Sequence, residues 1–187
     1  MSNALLKVNS HKQLSYVEKL ILFFFIYAFI GWLLETLYCA YELGHLTKRG
    51  FLLGPICPIY GYGALILLIF LQPFKDNNVK LFFASAIIFS IFEYLVGFSL
   101  EALLLMEFWD YTNEPFNLNG RITLSFSFIW GLFAIIFINF LHPVMDKFVN
   151  WCSKAIPHLL SSTVIKMLFI VYVVDTVLSF IRYLLFP

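Results

Sequence analysis

The feature that most constrains this chain is a run of 20 residues, 122–141, without a single charged side chain. A transmembrane helix needs about 20 mainly apolar residues. Four further runs meet this requirement or come close to it. The whole chain is 61% hydrophobic and 12% charged, whereas soluble domains are about a quarter charged. The sequence therefore predicts a protein whose main solvent is lipid.

The predicted fold is an all-α, polytopic bundle of about five transmembrane helices in one domain. A polar stretch, residues 1–16, is predicted to be a cytoplasmic tail. Residues 143–157 carry aromatic side chains at helical spacing beside two lysines, a pattern typical of an amphipathic helix on a membrane surface. We expect His142 and Pro143 to end the span before it, and Pro157 to end the amphipathic helix itself. The predicted spans are residues 17–43, 55–74, 81–108, 122–141 and 164–186.

Basic residues are divided unevenly between the two sides of these spans. With the amino terminus inside, eight lie on the inner side and four on the outer side. An excess of lysine and arginine marks cytoplasmic loops. The distribution predicts a multi-pass protein of the cell membrane with a cytoplasmic amino terminus. The inner residues are Lys7, Lys12, Lys19, Lys75, Lys80, Lys147, Lys154 and Lys166; the outer ones are Lys48, Arg49, Arg121 and Arg182.

The most polar segment between two spans is WDYTNEPFNLNGR, residues 109–121, named here the 109–121 loop. It carries two carboxylates, an arginine and three asparagines. Aspartate, asparagine and glycine also suit ordinary turns, so a turn and a binding site both explain the composition. Trp109 and Tyr111 are predicted to be interface anchors. Because a turn alone does not require so many amides beside Arg121, we expect half of a site here, on the outer face.

Two helical segments resemble each other, GWLLETL from Gly31 and GFSLEAL from Gly97. Four of the seven positions match, at an offset of 66 residues. Each segment leads to an arginine beside a glycine and then to a similar helix start, PIYG ending at Gly61 and FIWG ending at Gly131. These matches predict a parallel duplication, with repeat one over 17–74 and repeat two over 81–141. Internal repeats around a shared site are common in transporters.

Glu35, Glu93, Glu101 and Asp175 lie well inside the predicted spans, where a carboxylate costs at least about 2.5–3.5 kcal/mol. We expect Glu35 and Glu101 to share one polar cleft, either binding a ligand or forming structural ion pairs with Arg49 and Arg121. Glu93 either couples to protons or packs through hydrogen bonds, and Asp175 is expected to be buried and paired. The predicted substrate-binding residues are Glu35, Arg49, Glu93, Glu101, Asp110, Asn117, Asn119 and Arg121.

Residues 50–63 contain four glycines and two prolines. Broken helix at membrane depth is tolerated only where protein or water surrounds it, so this run is either a re-entrant segment or a close packing surface. The three cysteines show no metal-ligand spacing. Cys39 and Cys57 are expected to be free thiols, with one disulfide as the alternative. No metal or cofactor site is predicted.

Four of these segments also resemble a known family: GWLLETLY from Gly31, RGFLLGPICPIYGYGA from Arg49, EYLVGFSLE from Glu93 and WDYTNEPFNLNGRI from Trp109. Together they are similar to the bacterial type IV ABC-transporter permease family, also called CmpB-like, over about residues 20–145. The eukaryotic transmembrane protein 229 family is distantly similar. The family name implies transport. The motif positions carried over by this resemblance are Glu35, Arg49, Gly50, Pro55, Pro58, Gly61, Asp110, Asn119, Gly120 and Arg121.

Three functions fit these observations, and the first is a permease subunit that moves a small or amphipathic solute through an outer-face cleft. The sequence has no phosphate-loop motif, so ATP-driven transport needs a separate ATPase subunit, and so small a pore favours a homo-oligomer. The second is an intramembrane enzyme acting on a lipid or lipid-linked substrate, with Glu101 or Asp110 as the base and Arg49 and Arg121 as an anion clamp. The third is a non-catalytic membrane scaffold.

The expected partner in every case is the lipid bilayer. The formal net charge is +1, and no basic cluster exceeds Lys48 and Arg49. Nucleic-acid binding depends on neutralising phosphates with many lysines and arginines. The sequence therefore argues against a nucleic-acid partner.

Overall fold

The structure, a computed structural model, describes residues 14–157 and 159–185. Most of the predicted cytoplasmic tail, residues 1–13, and Phe186 at the end of the last predicted span lie outside the described residues. The described chain is mostly helical, so the predicted all-α class is confirmed. The helices are α1 (Tyr16–Leu43), α2 (Pro58–Ile66), α3 (Asn78–Leu104), α4 (Leu124–Ile136), α5 (His142–Ala155) and α6 (Ser162–Leu185). Two short strands, β1 (Asn117–Leu118) and β2 (Ile122–Thr123), pair antiparallel.

Four helical stretches of the described chain are long and apolar enough to cross a membrane: α1, α3, α6 and the continuous helix Leu124–Ala155. A shorter apolar helix, Pro58–Phe74, is formed by α2 with its π-helical and 3-10 extensions. Many large apolar side chains on these helices are exposed. Outward apolar faces are what a helix in lipid requires. The molecule is therefore a helical membrane bundle.

Polar caps set the helix ends where the apolar runs stop. The Ser15 hydroxyl accepts the Glu18 backbone N–H, and the Glu18 carboxylate accepts the Ser15 N–H at 2.8 Å, which is a capping box. The Asn77 side chain accepts the Lys80 N–H at the start of α3. Gly44 ends α1 with a φ of 72°, a conformation that favours glycine.

The bundle is built from two helical hairpins, α1 with α2 and α3 with α4. Glycines allow close approach within each hairpin. Gly61 of α2 lies directly against the Phe24 ring and carbonyl of α1, and Gly131 of α4 lies against the Phe82 ring and carbonyl of α3. The ring centroid of Phe51, in the link between α1 and α2, lies 6.4 Å from that of Phe108, which follows α3. Both links therefore lie at the same end of the bundle, named here the loop end.

The second helix of the first hairpin begins halfway down the first. The Cys57 N–H donates to the Ala28 carbonyl at 3.0 Å, and Ala28 precedes the end of α1 at Leu43 by 15 residues. At 1.5 Å per residue this places the start of α2 about 22 Å below the end of α1. Residues 50–57 thus carry non-helical backbone to membrane depth, where α1 and α6 cover it. Of the two interpretations of the glycine-rich run, this geometry favours a re-entrant segment.

The expected helix end at His142 and Pro143 is wrong, because α4 continues without interruption into α5. A π-helical segment, Phe137–Leu141, joins the two. Proline is tolerated in the first turn of a helix, and Pro143 takes that position in α5. His142 Nδ1 lies 3.1 Å from the Tyr27 hydroxyl of α1. Val149 on α5 is buried in the largest apolar cluster, so one face of α5 packs onto the bundle rather than lying free.

Candidate functional site

The 109–121 loop is shaped by its own polar side chains. Asp110 accepts both the Thr112 backbone N–H at 2.8 Å and the Thr112 hydroxyl at 2.9 Å. The Asn117 amide donates to the carbonyls of Thr112 and Glu114, and its oxygen accepts the Gly120 N–H. Gly120 has a φ of 67° and a Cβ there would meet Thr112 and Asp110. Asp110 and Asn117 therefore stabilise the turn. A turn was one of the two explanations that the composition left open.

Hydrogen bonds from Tyr111 and Asn119 fasten the same loop to α3, and a bond from Trp109 closes the loop on itself. The Trp109 indole N–H donates to the Arg121 carbonyl at 3.0 Å, which closes the base of the loop. The Tyr111 hydroxyl donates to Glu93 at 3.1 Å, and the Asn119 amide donates to the Tyr94 hydroxyl at 3.0 Å. Trp109 and Tyr111 thus serve to dock the loop onto the helices, a role beyond the predicted interface anchoring.

Arg121 and Glu101 form the ion pair of the second hairpin. The Arg121 guanidinium donates through Nε, at 2.9 Å, and through a terminal nitrogen to the same Glu101 oxygen. It also lies over the rings of Tyr94 and Phe98, at 5.4 and 5.5 Å from their centroids. The hydrogen bonds to Glu101 raise the pKa of Arg121, so the guanidinium stays charged. The Glu101 side chain is 40% exposed, so the pair borders open space.

A pocket of about 620 Å³ lies beside this ion pair at the loop end. One arginine, two glutamates and three apolar side chains line it: Arg121, Glu101, Glu107, Phe98, Ala102 and Leu105. A smaller pocket of about 40 Å³ adjoins it and is walled by the loop, including Trp109, Asp110 and Asn119. The larger pocket combines a polar wall with exposed apolar side chains, Leu105 being 88% exposed.

The first hairpin carries a comparable ion pair, between Arg49 and Glu35 at 3.2 Å. The Cys57 thiol donates to the other Glu35 oxygen at 3.4 Å. Cys57 is itself buried, so this hydrogen bond joins Glu35 to the interior of the hairpin. Neither of the two pockets at the 109–121 loop is lined by Glu35 or Arg49. A single cleft that contains Glu35 and Glu101 together therefore stays a prediction.

Glu93 is buried between the two elements of the second hairpin and the loop. The residue is 6% exposed. One carboxylate oxygen accepts the Tyr111 hydroxyl, and the other accepts the Trp130 indole N–H at 2.6 Å. Sequence reasoning singled out Glu93 but missed Trp130. Trp130 belongs to FIWG and lies 37 positions from Glu93 in the sequence. No sequence pattern indicated that it contacts this carboxylate.

Asp175 is paired, as expected, but it is only half-buried, and its partners are backbone groups and a serine rather than a basic side chain. Its two oxygens accept the N–H groups of Leu53 and Gly54 at 2.9 and 2.8 Å. The buried Ser179 hydroxyl donates to Asp175 at 3.1 Å. Arg182 donates to the Phe51 carbonyl at 3.3 Å. One face of α6 therefore holds the re-entrant segment in place and lies outside the two pockets.

The candidate catalytic bases are both engaged in structural contacts. One Glu101 oxygen takes both bonds from Arg121, and each Asp110 oxygen takes one bond from Thr112. Within the described residues, no group of three or more histidine, cysteine, aspartate or glutamate side chains is placed to hold a metal. The three cysteines are free, so Cys39 and Cys57 form no disulfide in this structure.

Four apolar helices long enough to span a membrane define the described chain as a multi-pass membrane protein. A family model described as "Putative ABC-transporter type IV" matches residues 22–180. The chain belongs to that family, and the match extends through α5 and most of α6, beyond the range of the sequence resemblance. The likeness to the transmembrane protein 229 family stays a prediction. No curated protein and no solved structure matches the chain.

Proposed function

We propose that this protein is the membrane-embedded permease subunit of a transport system and that it binds an amphipathic solute at the loop end of the second hairpin. The observation that carries the proposal is the larger pocket. Its polar side is the Arg121–Glu101 pair with Glu107, and its apolar side is formed by Phe98 and Leu105. Ligand sites typically combine apolar walls with a few placed polar groups. A solute with a polar head and an apolar body matches this lining.

The charge of the pocket favours a cationic or zwitterionic head. Arg121 contributes one positive charge, and Glu101 and Glu107 contribute two negative charges, which leaves a net charge of −1 when all three are ionised. Arg121 is already paired with Glu101, while Glu107 forms no salt bridge with a described residue. Phe98 adds an aromatic face, and aromatic faces attract organic cations. A purely anionic head would meet the unpaired carboxylate of Glu107.

The positions of the two helix starts support the proposed duplication. The helix starts at Pro58 and Leu124 differ by 66 residues, the offset that aligns Glu35 with Glu101. At this offset the contact between Gly61 and Phe24 corresponds to the hydrogen bond between Ser127 and Ser90. With this offset PIYG, residues 58–61, aligns with residues 124–127 at the start of α4. FIWG, residues 128–131, lies one helical turn further along.

The energy source and orientation complete the proposal. Without a phosphate-loop motif in its sequence, the permease would take ATP-derived energy from a separate ATPase subunit, and a second copy of the chain would enlarge the pore. We place the protein in the cell membrane with the loop end outside, since six lysines of the described helices and links lie toward the other end. A membrane-impermeant maleimide tests this: intact cells should protect Cys152 on α5, and labelling of Cys152 would reverse the orientation.

The binding experiment uses the protein in lipid nanodiscs and three fluorescent dodecyl probes with cationic, neutral and anionic heads. The cationic probe should bind most tightly. Glu107→Gln, which removes a negative charge from the pocket, should weaken its binding by about fivefold, and Arg121→Ala, which frees the Glu101 carboxylate, should strengthen its binding by a similar factor, because each change alters one charge–charge interaction at a partly exposed site. Lys147→Ala on α5, far from the pocket, is the matched control. Equal effects of Arg121→Ala and Lys147→Ala, or no binding of any probe, would contradict the proposed site.

A further inference from the structure

Glu93 is a carboxylate at membrane depth whose two partners are both neutral. It precedes the end of α3 at Leu104 by 11 residues, which places it about 16 Å below the loop end of that helix. No salt bridge among the described residues includes Glu93. An ionisable group inside a membrane protein with no paired base is a functional-site candidate, because its charge is costly there.

The polar and titratable groups around Glu93 come from the 109–121 loop, from α2 and from α4. The 109–121 loop supplies Tyr111, with Glu114 of the same loop near it, and α2 supplies Tyr60 behind Tyr111. From α4 comes Trp130, which does not titrate. Burial first, and then the Glu93 charge, raise the pKa of Tyr111, so its hydroxyl is protonated and acts as a donor. Both donors that reach Glu93 therefore favour its ionised form.

Protonation changes what Glu93 can accept. An ionised carboxylate accepts from both donors, and hydrogen bonds to charged groups are the stronger kind. A protonated carboxyl carries one O–H that must itself find an acceptor. Trp130 can only donate, so the Tyr111 hydroxyl would have to reverse its direction. Of the hydrogen bonds that join the loop to α3, the one between Tyr111 and Glu93 is therefore the one that weakens.

We propose that Glu93 is a proton-binding site that controls the docking of the 109–121 loop. One proton from the aqueous phase bonds to a carboxylate oxygen, and no other covalent bond changes. With Glu93 ionised, Tyr111 holds the loop against α3; with Glu93 protonated, the loop loosens. The loop forms a wall of the smaller pocket beside Arg121, so its release would widen access to the solute site. That last consequence rests on the proposed function, whereas the docking itself does not.

Hydrogen–deuterium exchange of the loop amides, with the protein in nanodiscs, tests the proposal. Rates are measured between about pH 4 and pH 9 and normalised at each pH to an unstructured peptide of the same sequence. Wild-type exchange should accelerate about tenfold on acidification, the effect of losing about 1.4 kcal/mol of docking. Glu93→Gln should exchange at the fast rate throughout, because the amide accepts through only one atom. Tyr111→Phe keeps the ring stacked on Phe126 but removes the donor, and it should also be fast and independent of pH.

The matched control is Glu42→Gln, an exposed carboxylate at the end of α1, which should behave as wild type. Infrared difference spectra should show a protonated carboxyl signal on acidification that is missing in Glu93→Gln. A wild-type loop whose normalised exchange ignores pH would overturn the proposal, as would a pH response that survives in both Glu93→Gln and Tyr111→Phe. If the loop responds to pH but no dodecyl probe binds, the proton site stands and the proposed solute site fails.

Discussion

Replacing Gly61 by alanine should destabilise the first hairpin, because the added methyl group has no room. A Cβ at Gly61 would lie 2.6 Å from the Phe24 ring and 2.8 Å from the Phe24 carbonyl oxygen. The ring can turn aside, but the carbonyl belongs to the backbone of α1, so the two helices must separate. Gly63 provides the matched control, since a Cβ there would lie 3.3 Å from the end of the Phe89 ring, which needs to give by only a few tenths of an ångström.

The expected magnitudes follow from two opposing terms. Overpacking of this kind costs about 1–3 kcal/mol, whereas alanine gains up to about 1 kcal/mol over glycine within a helix. Gly61→Ala should therefore lower the free energy of unfolding by up to about 2 kcal/mol. Gly63→Ala should leave it unchanged or raise it by up to about 1 kcal/mol.

The measurement is unfolding in mixed micelles with increasing dodecyl sulfate, followed by circular dichroism. Gly131→Ala should behave as Gly61→Ala does, because its Cβ would lie 2.6 Å from the Phe82 ring and 3.0 Å from the Phe82 carbonyl. A Gly61→Ala protein at least as stable as Gly63→Ala would refute the close approach of α1 and α2 at this position.

Three further predictions use the same purified protein. Asp175→Asn should lower the free energy of unfolding by about 1–3 kcal/mol, because a charged acceptor of two backbone N–H groups is removed. The control, Asp76→Asn at an exposed position, should leave the free energy of unfolding unchanged. Equal values for the two variants would contradict the proposal that Asp175 holds the re-entrant segment. Cys57, buried and hydrogen-bonded to Glu35, should react with a small maleimide far more slowly than Cys152; equal rates would mean that the segment opens. Burial and a nearby carboxylate raise the pKa of Tyr111 above its ordinary 10.0, so its stabilisation is complete below pH 10 and lost as the pH rises above 10. The unfolding midpoint of wild type should fall there more than that of Tyr111→Phe, and parallel curves would contradict it.

The helical class and most helix positions were predictable from the sequence because lipid imposes a single requirement on every span. Residues in contact with lipid must be apolar and hydrogen-bonded within their own helix, so length and hydropathy suffice. The predicted first span, residues 17–43, differs from α1 by one residue at its start. In the structure α1 ends at Leu43, and Gly44 follows with a φ of 72°.

The depth of the re-entrant segment could not be predicted in the same way. The sequence placed the second span at residues 55–74 and left open whether residues 50–63 form a re-entrant segment or a close packing surface. The structure begins α2 at Pro58, about halfway down α1, because Asp175 and Ser179 of α6 bind the backbone of Leu53. That interaction joins residues more than 120 positions apart, and nothing in the local composition specifies it.

The site was predictable in its members but not in its arrangement. Glu101 and Arg121 pair as one of the two sequence alternatives expected, and Arg121, Asp110 and Asn119 line the smaller pocket. Asn117 instead holds the turn. Helical spacing identified Glu93 as unusual, yet its partners come from a loop and from another helix. Such contacts depend on how the hairpins pack, which a single sequence does not encode locally.

The two ion pairs reach the same arrangement through different chain paths, and this difference bears on function. Arg49 follows Glu35 by 14 residues and precedes α2 by nine, so the re-entrant segment lies between the arginine and the helix. Arg121 follows Glu101 by 20 residues and precedes α4 by three, so the extra chain forms the 109–121 loop instead. In the first hairpin the additional residues fill the space beneath the pair and are fixed by α6. In the second hairpin the additional residues form the 109–121 loop next to the ion pair, bonded to α3 through Tyr111 and Asn119, and the larger pocket stays open. If the hairpins arose by duplication, the first has its connecting segment fixed by α6, and the second has kept an open pocket. The binding and proton experiments therefore both address the second hairpin, at Arg121 and the 109–121 loop.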